Sequence, residues 1–128
     1  MNHRKITLIL TILLAVVMLG HAQSQKLAAD QFEAKLKVVK EKTVLDVRTQ
    51  KEFLTGHIPN AVLMDYYQED FKQQVAKLDK SKPVFVYCAK GGRSNSAAGI
   101  LVDLGFKQVY DLQGGMEAWK SENKPVTK

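Results

Sequence analysis

The sequence predicts an α/β fold in which a central parallel sheet is flanked by helices on both faces. Short apolar segments rich in β-branched residues alternate with stretches that have helical spacing, an alternation typical of a parallel sheet. The segment over residues 83–87 (PVFVY) is almost continuously apolar, as expected for a strand buried on both faces. The length of 128 residues suits a single domain.

The first 22 residues have the pattern of a secretory signal peptide. Arg4 and Lys5 precede an apolar run over residues 6–19, and the small residues Gly20 and Ala22 follow it. This run is 14 residues long, shorter than the roughly 20 that a membrane-spanning helix needs. We therefore expect cleavage after Ala22, a periplasmic or secreted protein, and no stable membrane association after cleavage. An uncleaved N-terminal anchor is the alternative interpretation.

Residues 23–128 are expected to form one domain whose core spans about residues 27–122. After a short polar spacer, Phe32, Leu36 and Val39 recur at the spacing of a first helix, with Asp30 as a candidate N-cap. The next predicted elements are, in order, a strand over residues 43–47, a turn and helix over residues 48–57, a second apolar piece over residues 61–64 and a helix over residues 68–78.

The second half of the domain repeats the alternation. The strand over residues 83–87 is followed by a helix over residues 94–106 that ends near Gly105, by a strand over residues 108–112 and by a last helix over residues 114–122. Ligands of such sheets gather at the carboxyl ends of the strands. Cys88 directly follows the strand over residues 83–87 and therefore marks a candidate site.

Charge and cysteine content argue against several classes of function. Of 19 Lys and Arg, the signal pattern holds two, which leaves 17 against 13 Asp and Glu, a difference of +4. The lysines are scattered and form no tract with interleaved aromatic residues, so nucleic-acid binding is not expected. The single cysteine allows no internal disulfide and lacks companion zinc ligands. We expect a free thiol, no metal and no organic cofactor.

The loop over residues 86–94 (VYCAKGGRS) has the composition of a nucleophile site. Two consecutive glycines, Gly91 and Gly92, allow peptide N–H groups to turn toward one point, the sulfur of Cys88. The following helix directs its positive end to the same place, and Lys90 and Arg93 add full charges. These features favour a thiolate, and our hypothesis is that Cys88 is an activated nucleophile.

The spacing within this loop bears on the substrate. Four residues separate Cys88 from Arg93, whereas cysteine phosphatases and their relatives have five in a comparable loop, which forms a larger cradle for phosphate or arsenate. The shorter loop suits a donor whose sulfur atom approaches the cysteine directly. A sulfane-sulfur donor is therefore favoured over phosphatase or arsenate reductase chemistry.

Three motifs together make the sequence resemble a single-domain rhodanese, a sulfurtransferase of the rhodanese-like superfamily. They are the segment over residues 44–65 (VLDVRTQKEFLTGHIPNAVLMD), the loop over residues 86–94 and the segment over residues 112–119 (LQGGMEAW). They resemble the family's Asp-Val-Arg stretch with a later Gly-His-Ile-Pro, its six-residue active loop, and its closing Gly-Gly and Trp. The resemblance covers nearly all of residues 23–128 and implies a rhodanese-like fold.

The resemblance also implies a thiosulfate sulfurtransferase-type enzyme. Cys88 would take the outer sulfur of thiosulfate or a similar small anionic donor, carry it as a persulfide, and pass it to cyanide or a thiol acceptor. Arg93 and Lys90 match loop positions that hold the anionic part of the donor, and Arg48 matches an arginine that lines the pocket in some two-domain relatives. The backbone around the sulfur would come from Ala89, Lys90, Gly91, Gly92, Arg93 and Ser94.

Other residues of these motifs are expected to serve the fold. Asp46 would order neighbouring backbone or an arginine, and His57 would form a hydrogen bond within a turn. Glu52 would cap or pair locally, while Trp119 and Phe106 would pack in the core or at its rim. These roles require no proton transfer from any of the five.

A second class of function stays open alongside the enzyme. A rhodanese-fold sulfur carrier or binding module would accept a persulfide sulfur on Cys88 from a protein partner, and its activity on small molecules would be incidental. An intact cysteine fits both classes. Saturable turnover of free thiosulfate would distinguish them, because a carrier needs a protein donor.

Overall fold

A computed structural model describes residues 23–128, so the predicted signal peptide lies outside the described residues. In this part of the chain five strands alternate with five helices. The elements are β1 (Gln23–Leu27), α1 (Ala29–Val38), β2 (Thr43–Asp46), α2 (Gln50–Leu54), β3 (Val62–Leu63), α3 (Phe71–Ala76), β4 (Val84–Tyr87), α4 (Gly92–Asp103), β5 (Gln108–Leu112) and α5 (Gly115–Ser121).

The strands form one parallel sheet in the order β1-β5-β4-β2-β3. Strand β4 lies at the centre, and all four of its side chains are buried, as the continuous apolar pattern predicts. Helices α3 and α4 pack on one face of the sheet, against residues such as Val86 and Val109. Helices α1 and α5 pack on the other face, where Phe32 and Trp119 are buried together. The predicted fold class is confirmed.

Strand β1 is the main departure from the predicted elements. The sequence predicts a polar spacer here, but these residues form a strand that lies parallel to β5, in a register that joins Gln23 to Gln108 and Leu27 to Leu112. Because β1 lies at the edge of the sheet and most of its side chains are exposed, it carries no apolar pattern that could reveal it.

The helix boundaries also differ at functionally relevant points. Helix α4 begins at Gly92, two residues before the predicted start, so its N-terminus lies closer to Cys88. Asp30 is not the N-cap of α1: the cap is Ala28, and the Asp30 carboxylate accepts a 2.6 Å bond from the Lys124 ammonium. None of the helices within residues 23–128 is long and apolar enough to cross a membrane.

Candidate active site

Cys88 lies at the carboxyl end of β4 and has defined hydrogen-bond partners. The residue is 1% exposed, and its Sγ accepts a bond from the Gly91 N–H at 3.1 Å. The thiol in turn donates to Ser94 Oγ at 3.5 Å. The sulfur is therefore held between the loop backbone and the first turn of α4, which is the setting that the sequence predicts.

Gly91 gives the loop its shape. Its φ of 114° lies in the left-handed region, which a side chain strongly disfavours, and this conformation turns its N–H toward the sulfur. Helix α4 starts at the next residue and is 12 residues long, so the positive end of its dipole lies directly behind the loop. A negative charge on Cys88 Sγ would be stabilised by both features.

The loop is also held from the opposite face of the sheet by α5. The N–H groups of Met116 and Glu117 donate to the carbonyl oxygens of Cys88 and Ala89 at 2.9 and 3.0 Å. Gly115 lies so close that a Cβ atom on it would be 2.6 Å from the Ala89 carbonyl carbon and 2.7 Å from its oxygen. The closing Gly-Gly motif therefore serves to bring α5 against the active loop.

Arg93 is fixed by a bidentate ion pair with Glu52. Two guanidinium nitrogens donate to the two carboxylate oxygens at 2.7 and 2.9 Å, and Thr49 completes a capping box with Glu52 at the start of α2. Hydrogen bonding from Arg93 lowers the pKa of Glu52 to about 2. The guanidinium carbon also lies 5.4 Å from the centroid of the Tyr67 ring. The position of the Arg93 guanidinium is thus fixed, and the ionised Glu52 offsets its charge.

A surface cavity of about 540 Å³ brings the predicted loop residues together. It is lined by Tyr66, Tyr67, Cys88, Ala89, Lys90, Gly92, Arg93 and Ser96. The Lys90 side chain is 82% exposed and its ammonium lies 4.0 Å from Glu117, a weak surface pair that leaves it free to turn toward a ligand. The cavity therefore combines a nucleophile with two cations.

The sequence does not reveal that two aromatic residues line this cavity. Tyr66 packs edge-on against the buried Phe71, while Tyr67 is largely exposed at the rim. Both lie in the connection between β3 and α3, where no periodic pattern distinguishes a cavity wall from a surface loop. Their place in the cavity wall follows only from the sheet order, in which β3 lies beside β2.

Arg48 does not lie where the family resemblance implied. Its side chain is 4% exposed and donates to the Asp46 carboxylate and to the Gly56 carbonyl oxygen, both at 2.8 Å. It does not line the cavity around Cys88. The cause is local, because Asp46, two residues earlier, binds the guanidinium and holds it inside the protein. Asp46 therefore orders an arginine, as expected.

The other motif residues have structural contacts. His57 Nδ1 lies 3.0 Å from the Phe53 carbonyl oxygen, and the two rings stack. Trp119 and Phe106 are buried in the cores on the two faces of the sheet. Glu52 caps α2 as expected, but its ion-pair partner, Arg93, is 41 residues away and not local. Among residues 23–128 there is no group of three or more His, Cys, Asp or Glu that could hold a metal ion.

Comparison with known proteins agrees with this fold. Residues 28–122 match the family model of the rhodanese-like domain. Thiosulfate sulfurtransferase GlpE of Coxiella burnetii is 42% identical over 80 residues, which cover 62% of this chain and 73% of that protein. The crystal structure of a rhodanese-related protein from Thermoplasma volcanium is 30% identical, with a TM-score of 0.71, and covers 80% of this chain and 97% of its own.

A third relative is larger. The crystal structure of thiosulfate sulfurtransferase from Pseudomonas aeruginosa is 25% identical, with a TM-score of 0.67, and the match covers 81% of this chain and 20% of that one. Together, these matches and the parallel sheet define the class. The chain belongs to the rhodanese-like domain family and is a rhodanese-type transferase, as its sequence predicts.

Proposed function

We propose that the protein moves a sulfane sulfur from thiosulfate, or a similar small anionic donor, to cyanide or a thiol acceptor through a persulfide on Cys88. The observation that carries this proposal is the environment of Cys88 Sγ. The sulfur accepts a hydrogen bond from the Gly91 N–H at the N-terminus of α4, and Cys88 lines a cavity together with Lys90 and Arg93. The named thiosulfate sulfurtransferases among the relatives support the choice of donor.

In the first half-reaction the Cys88 thiolate attacks the outer sulfur of thiosulfate. A sulfur–sulfur bond forms at Cys88, the bond to the sulfonate sulfur breaks, and sulfite leaves with the electron pair. Cys88 then carries a persulfide, whose negative charge is stabilised by the Gly91 N–H and the end of α4. The reaction needs no external oxidant or reductant.

In the second half-reaction an acceptor removes the terminal sulfur. Cyanide or a thiolate attacks that atom, the bond to Cys88 breaks, and its electron pair returns to the Cys88 sulfur as thiolate. The products are thiocyanate or an acceptor persulfide. Because the two substrates react in turn at the same sulfur, the kinetics are of the ping-pong type.

The two cations have different parts in donor binding. Arg93 is held by Glu52, so it supplies a fixed charge at the cavity and keeps some N–H groups for the donor. Lys90 is exposed and weakly paired, so its ammonium can follow the sulfonate as a mobile point charge. Thiosulfate is a dianion, and both charges favour its approach to the sulfur.

We place the reaction outside the cytoplasm, because the first 22 residues have the pattern of a cleaved export signal. Cleavage after Ala22 would leave β1, which starts at Gln23, in the mature domain. N-terminal sequencing of the mature protein from a cell envelope extract should then start at Gln23. A mature chain that still begins at residue 1 or 2 would support the uncleaved anchor.

Steady-state kinetics test the proposed reaction. Thiocyanate formation is measured at several fixed cyanide concentrations while thiosulfate is varied, with Cys88→Ser as the control variant. Parallel double-reciprocal lines for the wild type and no turnover for Cys88→Ser are expected. No saturable turnover of thiosulfate by the reduced wild type would reject the small-molecule transferase and favour a carrier loaded by a protein partner.

A further inference from the structure

The cavity beside Cys88 is larger than the proposed donor requires. Its volume of about 540 Å³ lies within the roughly 300 to 1,000 Å³ that is typical of cavities for organic ligands. Thiosulfate is a small inorganic ion, so a large part of the cavity stays unfilled during the first half-reaction. The remaining space is available to a second substrate with an organic body.

Tyr67 is the residue of this cavity that is best suited to contact such a body. It is 67% exposed, and of the five large hydrophobic side chains that are exposed within residues 23–128 it is the one that lines the cavity with Cys88. Contact with an apolar group would remove this ring from water, which is favourable. The position of the ring next to a nucleophile therefore indicates a binding role.

The contacts of Tyr67 hold its ring in place. The Tyr67 N–H donates to Asp65 Oδ1 at 2.9 Å, and the Tyr66 N–H donates to the Val47 carbonyl oxygen at 3.0 Å. The Tyr66 ring lies edge-on to the Tyr67 ring, with centroids 5.9 Å apart, and the Arg93 guanidinium carbon is 5.4 Å from the Tyr67 centroid. A tyrosine ring held in this way offers contact area at a small cost in conformational entropy.

The charges of the cavity are paired to different degrees. Arg93 donates two hydrogen bonds to Glu52, whose carboxylate offsets the charge of the guanidinium. The Lys90 ammonium is exposed and lies 4.0 Å from Glu117, a weak pair. After sulfite has left, Lys90 is available for an anionic group of the second substrate. The cavity thus offers this substrate an aromatic ring and a cation.

We propose that Tyr67 is a specificity-determining residue for the acceptor, and that the acceptor it selects is an organic thiol with an aromatic body and an acidic group. The acceptor thiolate attacks the terminal sulfur of the Cys88 persulfide. A sulfur–sulfur bond to the acceptor forms, the bond to Cys88 breaks, and its electron pair returns to the Cys88 sulfur. During this step the aromatic body packs against the Tyr67 ring, and Lys90 pairs with the acidic group.

This inference rests on the proposed persulfide at Cys88, and the rate of sulfur removal tests it separately. The persulfide is formed with thiosulfate, excess donor is removed, and the loss of the sulfur atom to a thiol is followed by intact mass. The aromatic probe is para-(mercaptomethyl)benzoate. Mercaptoacetate is the matched control thiol, because it has a carboxylate and an alkyl thiol but no ring.

The measured quantity is the ratio of the rate constant for the aromatic thiol to that for mercaptoacetate. Tyr67→Ala should lower this ratio about fivefold, the effect expected for the loss of one aromatic contact. Tyr67→Phe keeps the ring and should keep the wild-type ratio. Val38→Ala is the control variant, because it shortens an exposed hydrophobic side chain at the end of α1, outside the cavity.

A wild-type ratio in Tyr67→Ala would overturn the inference. An equal loss of rate with both thiols would also overturn it, because Tyr67 would then act on the persulfide and not on the choice of acceptor. Thermal melts check folding, and Tyr67→Gln replaces Tyr67→Ala if that variant does not fold. A wild type that takes no sulfur from thiosulfate rejects the proposed donor; the persulfide is then formed with inorganic polysulfide, and the same ratio tests the role of Tyr67.

Discussion

Gly115→Ala is expected to damage the candidate active site although Gly115 does not line the cavity. The φ of Gly115 is 56°, in the left-handed region, where an L-residue with a side chain costs about 1 kcal/mol or more. A Cβ atom there would also lie 2.6 and 2.7 Å from the carbonyl carbon and oxygen of Ala89, a neighbour of the nucleophile. Both atoms are backbone, so they cannot turn away as a flexible side chain would.

The size of the effect follows from these two contributions. The backbone strain of about 1 kcal/mol adds to about 1 to 3 kcal/mol for forcing packed backbone apart, which gives a loss of about 2 to 4 kcal/mol in the free energy of unfolding. The displacement also weakens the Met116 and Glu117 N–H bonds to the loop carbonyls. We therefore expect slower alkylation of Cys88 in the fraction that remains folded.

Gly99→Ala is the matched control for this experiment. Gly99 is exposed within α4, and a Cβ there would meet nothing within 4 Å. The same chemical change should therefore stabilise the protein by about 0.5 to 1 kcal/mol. Urea unfolding gives both values. If Gly115→Ala unfolds at the same midpoint as Gly99→Ala and its Cys88 reacts at the wild-type rate, the reasoning about this close approach is refuted.

Three further substitutions test the ion pairs around the site. Glu52→Gln removes the ion pair with Arg93, which stabilises the fold by about 1 kcal/mol for a partly exposed pair. Because the pKa of Glu52 in the folded protein is lowered to about 2, this stabilisation is present above about pH 4.5 and is lost as the pH falls toward 2. Urea unfolding should therefore show the variant to be less stable than the wild type at the higher pH, with the difference shrinking toward pH 2. Lys90→Gln should raise KM for thiosulfate about fivefold, for a loss of about 1 kcal/mol, with an unchanged melting temperature because the side chain is exposed. Arg48→Met should cost about 3 to 5 kcal/mol in unfolding free energy, because it leaves the Asp46 carboxylate buried and unpaired; a stable Arg48→Met variant with a raised KM would contradict the structural role assigned to Arg48.

The sequence predicted the parts of the fold that have a local signal. Strand β4 is apolar at every position, and the glycines and cations after it identify the loop of Cys88. Strand β1 could not be predicted in the same way, because an exposed edge strand is stabilised by backbone pairing with β5 and not by apolar side chains. Local pattern thus reveals buried strands better than edge strands.

Long-range contacts of the site could not be predicted from the sequence either, because they too have no local signal. The Glu52 to Arg93 pair joins residues 41 positions apart, and no spacing rule connects them. The family resemblance implied that Arg48 lines the substrate pocket, but the direction of its side chain decides its place, and Asp46 holds it inward.

The most direct test of the central claim is the intact mass of the mature protein, reduced, before and after thiosulfate and again after cyanide. We predict that the wild type gains the mass of one sulfur atom, that cyanide removes it with formation of an equal amount of thiocyanate, and that Cys88→Ser gains nothing. A wild type that acquires no sulfur, or a Cys88→Ser variant that acquires as much as the wild type, would contradict a persulfide cycle at Cys88.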